Sequence, residues 1–533
     1  MTKKATSNHR GASVLVAQLA ESGLKHVVIS PGSRNAPLTI AFDAHPGVRT
    51  HVVIDERAAA YYALGLGLRT GTPAAVVCTS GTAALNHGPA IAEAFHARVP
   101  LISITADRPT RVIERGHGQS VFQAGIFGKN CGHAVLIDEL ELGDAEIVVE
   151  AKKAFDTAAK GTSVHINVPF EEPLYGLEEV DLGLNLIKIG GSNKVRAGVP
   201  AELMVEGIRI LVVAGALPFY RNEDGLELSL PGVCEKWSGI WGDAVVHSAD
   251  MLMGRGELPE EPDVVITLGT PTLSKAFRKY LIEKRPNHYH VGQTFKGWDT
   301  WGSLVTTIDA DPIEWLREFD GKHRCDEEFV RKWKELEKSV ELDGVEWSDV
   351  VAFETILSGV GEGCSMHLSN STSARYVQLV KSPRGLKYHC NRGVAGIDGC
   401  TSTAVGDAVG SGEEVVLITG DVAFLYDLNG LASVQEMPAN LKVVVINNGG
   451  GEIFRWLDGP EGLGLVVKYF ETKPRTRVKS AAEYCGLNYF CATNKDETLT
   501  AIEAMQASET VSILEVITDG PTSTEVYKTI LKR

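Results

Sequence analysis

The sequence predicts an α/β protein of three domains, each built on a mainly parallel sheet flanked by helices. Short runs of β-branched residues, typical of buried strands, alternate along the whole chain with longer segments typical of helices. Several runs end in glycine and polar residues, as strands do where a parallel sheet turns into its helices. The length of 533 residues is too great for a single hydrophobic core and favours about two to four domains.

The strand-like runs fall into three groups, which define the predicted domains. Residues 1–185 form the first group, with HVVIS and SVHINV among its strands. Residues 186–350 form the second, with IRILVVAGAL and DVVITLG, and residues 351–533 form the third, which ends in SILEVIT and a last helix. A glycine-rich stretch at 190–193 and an acidic stretch at 341–346 are the predicted linkers.

Composition and charge exclude several classes of function. The net charge of −16 argues against a nucleic-acid partner. No apolar run reaches the roughly 18 residues that a membrane span needs. The N-terminal stretch lacks a sustained apolar core, so it is interpreted as an amphipathic helix beginning near Ala12 and not as a signal peptide. The nine cysteines form no CxxC pair, which indicates reduced thiols and predicts a cytoplasmic protein.

Residues 415–454 hold the strongest candidate for a functional site. The runs at 415–418 and 443–446 predict buried strands, and the apolar spacing over Leu425–Met437 predicts one helix between them. The two strands of such a unit are parallel, so their C-terminal ends lie at one edge of the sheet. Ligands of open α/β sheets bind at that edge.

Polar residues follow both of these strands and predict a metal site. Gly420-Asp421 follows the first strand, and Asn447-Asn448 follows the second. With a carbonyl from the glycine turn, Asp421 and Asn448 offer three oxygen ligands and one negative charge, which suits Mg²⁺ bound together with a phosphate. In a plainer interpretation, Asp421 caps a helix and the asparagines form a turn.

This pattern resembles the cofactor motif of thiamin diphosphate (ThDP) enzymes. The resemblance implies that Asp421, Asn448 and the carbonyl of Gly450 hold Mg²⁺, or Mn²⁺, on the diphosphate, and that Gly420 contacts the cofactor. Val422 stands where many members have a glycine. The three predicted domains match the pyrimidine, central and diphosphate domains of these enzymes.

Glu56 is the predicted catalytic acid. ThDP chemistry needs a carboxyl group beside the aminopyrimidine ring, and Glu56 in IDERAAAYYALGLG matches the family's glutamate. Acidic residues also favour the first turn of a helix because of its dipole, which would lower the carboxyl pKa. Catalysis requires a raised pKa, so the sequence predicts that burial outweighs the dipole. The same resemblance implies that Ile397 holds the cofactor bent.

Motifs in the first and third domains narrow the resemblance to the 2-succinyl-5-enolpyruvyl-6-hydroxy-3-cyclohexene-1-carboxylate synthases, the ThDP enzymes of menaquinone biosynthesis. The motifs are SPGSRNAPLTIAF, IDERAAAYYALGLG, TSGTAALN, ITADRP, NRGVAGIDG and GDVAFLYDLNGL. The resemblance implies a transferase that decarboxylates 2-oxoglutarate and adds the succinyl-semialdehyde carbanion equivalent to isochorismate. It also implies a homodimer or homotetramer with the active site at the subunit interface.

Both substrates of that reaction are dicarboxylates, so the site needs local cations, preferably arginines. By the resemblance, the substrate-binding residues are Ser33, Arg34, Arg108 and Gln119 in the first domain, Lys275 in the central domain, Ser371, Arg375 and Arg392 in the third, and Ile453, Phe454 and Leu457 as an apolar wall. Each cation alone is more often a solvated surface charge. Arg375 and Arg392 are the strongest candidates, and the spacing of Ser371 and Arg375 predicts that they share one face of a helix.

Two departures from the family pattern concern how the acceptor is held. Gly118 stands where some members have asparagine, and Ala276 where some have a second cation.

Two alternative functions stay open. Another ThDP-dependent 2-oxoacid carboligase or decarboxylase, of the acetolactate-synthase type, would share the glutamate and the metal ligands but not the arginines. A non-catalytic metabolite-binding protein would keep the fold without the acid.

Overall fold

The computed structural model describes residues 5–179, 185–188, 198–218, 225–292, 299–383, 385–456 and 464–532. These residues contain three six-stranded sheets, and every strand pair within the three sheets is parallel. The predicted α/β class with mainly parallel sheets is confirmed. The chain divides into two compact units: residues 1–192, 392–412 and 427–438 form the first, and residues 193–391, 413–426 and 439–533 form the second.

The first unit contains one of the three sheets. Its strands are β2 (His26–Ile29), β3 (Arg49–Val52), β4 (Ala74–Cys78), β5 (Leu101–Asp107), β6 (His133–Leu136) and β7 (Ser163–Pro169), in the order β3-β2-β4-β5-β7-β6. A short β1 (Thr6–Ser7) pairs antiparallel with β8 (Leu177–Glu178) outside this sheet. The central strands are fully buried, as their runs of Val, Ile and Ala predict.

The second unit contains the other two sheets. One is formed by β9 (Ile210–Ala214), β11 (Gly232–Cys234), β13 (Val245–Val246), β14 (Val264–Leu268), β15 (Asn287–Val291) and β16 (Leu304–Ile308), in the order β13-β11-β9-β14-β15-β16. The other is formed by β17 (Ser365–Leu368), β18 (Lys387–Cys390), β19 (Val415–Gly420), β20 (Leu441–Asn447), β21 (Asn488–Ala492) and β22 (Ser512–Ile517), in the order β18-β17-β19-β20-β22-β21. A pair of short strands, β10 (Leu226–Glu227) and β12 (Ile240–Trp241), lies outside both sheets.

The order of strands relates the three sheets to one another. Numbered within each sheet, the first and third share the order 2-1-3-4-6-5, whereas the middle sheet has the order 3-2-1-4-5-6. The third sheet therefore has the connectivity of the first, although the sequence has no fixed-period repeat. The predicted domain boundaries at 185 and 350 stay predictions.

The α-helices of the described residues connect the strands and cover the sheets. They are α1 (Arg10–Glu21), α2 (Ala36–Ala44), α3 (Glu56–Thr70), α4 (Thr82–Asn86), α5 (Gly88–Ala97), α6 (Asp144–Ala158), α7 (Ala249–Arg255), α8 (Lys275–Lys284), α9 (Pro312–Asp320), α10 (Glu327–Glu335), α11 (Asp349–Gly359), α12 (Ser373–Leu379), α13 (Cys400–Ser411), α14 (Asp421–Tyr426), α15 (Asn429–Ala432), α16 (Val478–Tyr484), α17 (Lys495–Gln506) and α18 (Gly520–Ile530). None of the helices in this part of the chain is long and apolar enough to span a bilayer.

Helix α3 runs through the core of the first unit and packs tightly against α13. Its residues from Ala58 to Leu68 are all buried, so the helix is apolar all round. The two helices approach closely at glycines: a Cβ on Gly65 would lie 2.1 Å from the carbonyl oxygen of Thr403. A larger residue at Gly65 would force the helices apart.

The prediction of one helix over Leu425–Met437 is wrong. The structure has two short helices, α14 and α15, and residues 433–437 are not helical. The buried carboxylate of Asp427 accepts hydrogen bonds from the backbone nitrogen (2.7 Å) and hydroxyl (3.0 Å) of Ser402. This long-range contact fixes Asp427 at the point where the predicted helix breaks. The predicted parallel pairing of the flanking strands β19 and β20 is confirmed.

Candidate active site

The carboxyl edge of the third sheet places the predicted metal ligands on neighbouring strands. Strand β19 ends at Gly420 and β20 ends at Asn447, and Gly420 pairs with Ile446 in the ladder between them. Asp421 and Asn448 therefore leave the sheet at adjacent positions, both within the second unit. The strand register produces this arrangement, as the sequence predicted.

Asp421 has one carboxylate oxygen that the protein leaves unpaired. Its side chain is 4% exposed. Oδ1 accepts a hydrogen bond from Val422 N at 2.8 Å, whereas Oδ2 is buried without a hydrogen-bond partner in the described residues. Burial raises the pKa of Asp421 to about 6, the charge of Asp349 adds to the rise, and hydrogen bonds from the backbone of Val422 and Gly449 oppose it. A helix cap accounts for one oxygen only; a bound cation would satisfy the other and relieve the cost of its burial.

The side chain of Asn448 is held by a buried carboxylate. Its Nδ2 donates to Asp349 Oδ2 at 2.6 Å, which leaves its Oδ1 as the group available to a ligand. The carboxylate of Asp349 also accepts hydrogen bonds from Thr518 Oγ1 (2.5 Å), Ser523 Oγ (3.1 Å) and Tyr376 OH (3.3 Å). Asp349 is thus fixed on several sides and fixes the asparagine in turn. Sequence reasoning missed Asp349, because an aspartate at the start of an apolar helix is common.

The turn after Asn448 needs glycine at Gly450. Its φ is +142°, and a Cβ there would lie 2.5 Å from the carbonyl oxygen of Glu471. The Gly450 nitrogen donates to Asn448 Oδ1 at 3.3 Å, which closes the turn. This close packing keeps the backbone of the predicted third ligand next to the second.

These donors fit a hard divalent cation that also binds phosphate oxygens. Together they supply one carboxylate, one amide oxygen and one carbonyl, the set that Mg²⁺ takes while keeping positions for a substrate phosphate. No cluster of three or more His, Cys, Asp or Glu residues arranged to hold a metal is found in the described part of the chain. A metal ion at this edge would therefore be held by the carboxylate, the amide oxygen and the carbonyl together, and not by a cluster of acidic or histidine side chains.

Glu56 lies in the first turn of α3 without serving as its cap. The cap is Asp55, whose Oδ1 accepts from Arg57 N (2.8 Å) and Ala58 N (3.1 Å). Burial raises the pKa of the half-buried Glu56; a backbone hydrogen bond lowers it and the charge of Asp55 raises it further. The pKa of Glu56 is therefore raised, which is the direction that the catalytic role requires. The catalytic role of Glu56 stays a prediction.

The structure brings three of the predicted substrate residues of the first unit together. Arg108 Nη2 donates to Gln119 Oε1 at 3.3 Å. Arg34 is 5% exposed and donates to Phe170 O at 2.8 Å, and burial followed by the charge of Arg108 lowers its pKa. Glu172 already supplies one anion beside this pair, since Arg34 Nη2 donates to its Oε1 at 3.2 Å, and the charge of Glu172 partly opposes the effect of Arg108 on the pKa. Ser33, adjacent to Arg34, is exposed.

Arg392 and Ile397 belong to a glycine-rich loop that is anchored by a buried glutamate. Glu93 accepts hydrogen bonds from the nitrogens of Gly393 and Val394, both at 2.7 Å. Burial raises the pKa of Glu93, while these backbone bonds and the charge of Arg392 lower it. The loop is therefore held close behind Arg392, whose side chain is half-buried, as is that of Ile397.

Ser371 and Arg375 lie together, but not in the predicted way. Helix α12 begins at Ser373, and Ser371 has a φ of +78°, so the two do not share a helix face and that prediction is wrong. Instead, Arg375 Nη1 donates to the carbonyl oxygen of Ser371 at 2.9 Å. The positive φ turns the chain before the helix and presents this carbonyl to the guanidinium.

The remaining predicted residues occupy different surroundings. Lys275 is exposed in the first turn of α8, next to Ala276. Ile453 and Phe454 are half-buried in a short 3₁₀ helix, Glu452–Arg455, where the Phe454 ring lies 5.2 Å from that of Phe470. Leu457 lies outside the described residues. A Cβ at Gly118 would meet nothing within 4 Å, so its loop has room for the larger residue of other members.

Comparison with known proteins defines the class of enzyme. A model of the thiamine pyrophosphate enzyme, N-terminal TPP binding domain, matches residues 9–126, and one of the thiamine pyrophosphate enzyme, C-terminal TPP binding domain, matches residues 369–516. Three parallel sheets, with one unpaired carboxylate oxygen of Asp421 at a carboxyl edge, and these two matches define a thiamin-diphosphate-dependent enzyme. The predicted cofactor is confirmed.

Curated relatives define the family within this class. Proteins named 2-succinyl-5-enolpyruvyl-6-hydroxy-3-cyclohexene-1-carboxylate synthase from Flavobacterium johnsoniae, Flavobacterium psychrophilum and Bacteroides thetaiotaomicron are 35%, 34% and 33% identical to this chain. The alignments cover 95%, 93% and 96% of this chain and 96%, 94% and 97% of the relatives. The chain belongs to the family of these synthases and is a carbon–carbon-bond-forming ThDP enzyme, as predicted. The matches favour this family over the acetolactate-synthase type and over a non-catalytic protein.

Proposed function

We propose that the protein decarboxylates 2-oxoglutarate and joins the resulting four-carbon unit to isochorismate, giving 2-succinyl-5-enolpyruvyl-6-hydroxy-3-cyclohexene-1-carboxylate for menaquinone biosynthesis. The observation that carries the proposal is the buried, unpaired oxygen of Asp421 beside the anchored Asn448, in a chain that matches these synthases over almost its whole length. A second function is not favoured by any contact described above.

In this proposal, the metal site binds the diphosphate end of the cofactor. Asp421, Asn448 Oδ1 and the carbonyl of Gly450 hold Mg²⁺ or Mn²⁺, Asp349 positions Asn448, and Gly420 contacts the cofactor. When bound, thiamin diphosphate supplies a nucleophilic carbon and accepts the electron pair released by decarboxylation. The residues of the chain hold the cofactor, aim it and manage the proton that its activation releases.

Glu56 manages that proton. A carboxyl group whose pKa is raised by burial shares a proton near neutral pH more readily than an exposed glutamate does. We place Glu56 where the aminopyrimidine ring would bind, and its carboxyl group would there donate or accept a hydrogen bond. Ile397 supports the bent shape of the cofactor. The capping of α3 by Asp55 leaves Glu56 available for this role.

Cations bind the carboxylates of the two substrates. Arg34 and Arg108 form one pair, with Gln119 and Ser33 as polar neighbours. Arg375 with Ser371, Arg392 and Lys275 supply the remaining contacts, and Ile453, Phe454 and Leu457 form the apolar wall. The protein carries a net charge of −16, so these residues must act through local charge and planar, two-pronged hydrogen bonding.

The active assembly in this proposal is a cytoplasmic homodimer or homotetramer in which two subunits complete each site. The three domains, 1–185, 186–350 and 351–533, provide the pyrimidine, central and diphosphate parts. Mixing inactive Glu56→Gln with inactive Asp421→Ala protein tests the assembly, because exchanged subunits would form mixed dimers with one intact site. Recovery of part of the activity supports shared sites; no recovery despite measured subunit exchange excludes them.

One assay tests the reaction itself. Purified protein with ThDP and Mg²⁺ is supplied with 2-oxoglutarate and isochorismate, and CO₂ release, isochorismate loss and product mass are followed together. Equal consumption of both substrates and a product of the expected mass support the proposal. Consumption of 2-oxoglutarate without loss of isochorismate, or turnover with pyruvate at a higher kcat/KM, would assign the protein to another ThDP reaction.

A further inference from the structure

The second unit contains a cavity of about 880 Å³ that shares no residue with the candidate active site. Its described wall includes Leu217 after strand β9, Lys236 after β11 and His247 after β13. These three neighbouring strands are parallel, so the cavity lies at the carboxyl edge of the middle sheet. Ligands of open α/β sheets bind at this edge, and the volume is that of a small-molecule site.

The described wall of the cavity is rich in lysine, although the protein as a whole is acidic. It includes five lysines and two acidic residues: Lys236, Lys334, Lys338, Lys381 and Lys387, with Glu227 and Asp243. Burial lowers the pKa of His247 to about 3, so this histidine is neutral and adds no charge. Two of the five lysines are paired with acids outside this wall, Lys381 with Glu341 at 2.6 Å and Lys387 with Glu413 at 3.2 Å. Lys236, Lys334 and Lys338 are therefore the cations of the wall that would attract a small anion.

Lys236 is the buried cation of this wall. It is 3% exposed, and its Nζ donates to Val380 O at 2.7 Å and to Ser382 Oγ at 2.9 Å. An ammonium group has three donors, so a third N–H remains after these two bonds to neutral oxygens. Burial lowers the pKa of Lys236 to about 7, which reflects the cost of keeping this charge out of water. The charge of Glu354 opposes this shift only in part, and an anion in the cavity would add counter-charge that the two neutral oxygens lack.

Aromatic side chains form the apolar part of the same wall. Trp241 and Tyr388 both line the cavity. The Trp241 ring lies 4.4 Å from that of His247, and Lys236 Nζ lies 5.8 Å from the centre of the Tyr388 ring. Aromatic faces beside a cation suit a ligand that combines a flat ring with a negative charge.

We propose that this cavity binds a small anion that carries a flat aromatic ring, with the anionic group at Lys236 and Lys338 and the ring against Trp241 and Tyr388. Lys338 is half-buried, and its Nζ donates to Trp333 O at 2.9 Å, so it too has donors left for a ligand. The site is separate from the proposed active site, and its existence does not depend on which reaction the enzyme performs.

Phenyl phosphate tests the proposal, with inorganic phosphate and phenol as its two halves. Calorimetry is done on the full-length protein saturated with ThDP and Mg²⁺, so that the diphosphate site does not capture the probe. We expect phenyl phosphate to bind at least tenfold more tightly than either half. Lys236→Met and Lys338→Met should each weaken binding at least tenfold. Lys322→Met, which removes a surface lysine paired with Glu318, is the matched control and should leave it unchanged.

Chemical labelling locates the bound probe. Phenyl phosphate should protect the half-buried Lys338 from reductive methylation, measured by mass spectrometry, and should leave the exposed Lys322 reactive. If Lys236→Met does not fold, Lys338→Met and Trp241→Ala carry the comparison. Phenyl phosphate binding no tighter than inorganic phosphate, or binding that neither folded lysine variant weakens, would overturn the proposal.

Discussion

Asn448 and Asp349 are joined by a 2.6 Å hydrogen bond from the asparagine Nδ2 to the buried carboxylate. Asp349 is fully buried, and Thr518, Ser523 and Tyr376 also donate to its carboxylate. The amide nitrogen of Asn448 can only lie on the side of Asp349, so the amide oxygen lies on the opposite side. Residues behind metal ligands commonly orient them in this way.

Asp349→Asn should therefore weaken metal binding without touching a proposed ligand. The substituted amide presents a donor group where the carboxylate accepts four side-chain hydrogen bonds, so Asn448 loses its fixed orientation. Loss of such a supporting contact typically costs about 10–100-fold in metal affinity. The measurement is the Mg²⁺ dependence of ThDP binding, followed by calorimetry. Ser523→Ala, which removes one donor to Asp349 but not the bond to Asn448, should have a smaller effect. An unchanged Mg²⁺ dependence in folded Asp349→Asn would contradict the positioning role.

Asp421→Ala should abolish Mg²⁺-dependent binding of ThDP. Asp421 carries the only formal charge among the three proposed ligands, and Mg²⁺ binds weakly without a carboxylate. Calorimetry with and without Mg²⁺ measures the loss. Asp496→Ala, which removes an exposed acid in the first turn of α17, has the same change of charge and should bind normally. Unaltered ThDP affinity in Asp421→Ala would refute the metal assignment.

Glu56→Gln should separate binding from chemistry. The amide can still hydrogen-bond to the pyrimidine ring, so ThDP binding should persist, but it cannot take up or release a proton, so most activity should disappear. Exchange of the C2 proton of bound thiamin, followed by NMR, should slow greatly. Asp55→Asn is the adjacent control, because asparagine caps a helix about as well as aspartate and the carboxyl group of Glu56 remains. Loss of the Asp55 charge should lower the pKa of Glu56 without removing its proton transfer. Exchange at the wild-type rate in Glu56→Gln would exclude this role.

His9 should contribute stability to the first unit mainly at low pH. Its Nδ1 lies 2.6 Å from Glu139 Oε1. Burial lowers the pKa of His9, but the hydrogen bond and charge of Glu139, with a bond to Pro173 O, outweigh burial and raise it above 6.5. A histidine whose pKa is raised on folding stabilises the protein fully below its unfolded pKa, and the contribution is lost as the pH rises through the folded pKa.

The corresponding measurement compares wild type with His9→Gln in urea at several pH values. The difference in free energy of unfolding should be largest near pH 5 and should shrink as the pH rises above about 6.5 and through the raised pKa of the folded state. His45→Gln is the control, since burial lowers the pKa of His45 and its pH dependence should have the opposite sign. A difference that grows with rising pH would contradict the assigned role of Glu139.

Local patterns in the sequence predicted the carboxyl edge of the third sheet, but they did not predict the long-range hydrogen bonds of Asp427 and Asp349. Strands β19 and β20 were predictable because short β-branched runs ending in polar residues are a local signal. The break in the helix after Tyr426 was not, because the buried bond of Asp427 to Ser402 connects distant segments. Asp349 was missed for the same reason: its partner Asn448 lies far along the chain, and nothing beside Asp349 indicates the pairing.

The geometry at Ser371 shows a second limit of spacing arguments. A separation of four residues predicts a shared helix face only if both residues are helical. Ser371 instead has a φ of +78°, which few non-glycine residues adopt. The sequence gives no sign of this turn, yet it creates the bond between the Ser371 carbonyl and Arg375.

The choice of substrate provides the last prediction, which depends on Arg375 and Arg392. If each contacts a substrate carboxylate in a partly dry pocket, its loss should cost about 1.5–3 kcal/mol, or roughly 10- to 150-fold in kcat/KM. Arg375→Ala and Arg392→Ala should lose that much with 2-oxoglutarate or isochorismate and keep nearly normal ThDP binding. Lysine should restore little, because it cannot present the planar fork of a guanidinium.

The comparison of 2-oxoglutarate with pyruvate makes this test selective. Pyruvate lacks the distal carboxylate, so it should be a poor donor for the wild type and should lose less in whichever arginine variant contacts that carboxylate. Arg331→Ala, which removes an exposed arginine paired with Glu328 and Glu335 on α10, controls for the change of charge. A wild type with a higher kcat/KM for pyruvate, or arginine variants with unchanged kcat/KM for both substrates, would exclude the proposed substrates. Neither result would contradict the assignment of the cofactor site. Because the ThDP-binding measurement is independent of the substrates, the two outcomes can be told apart.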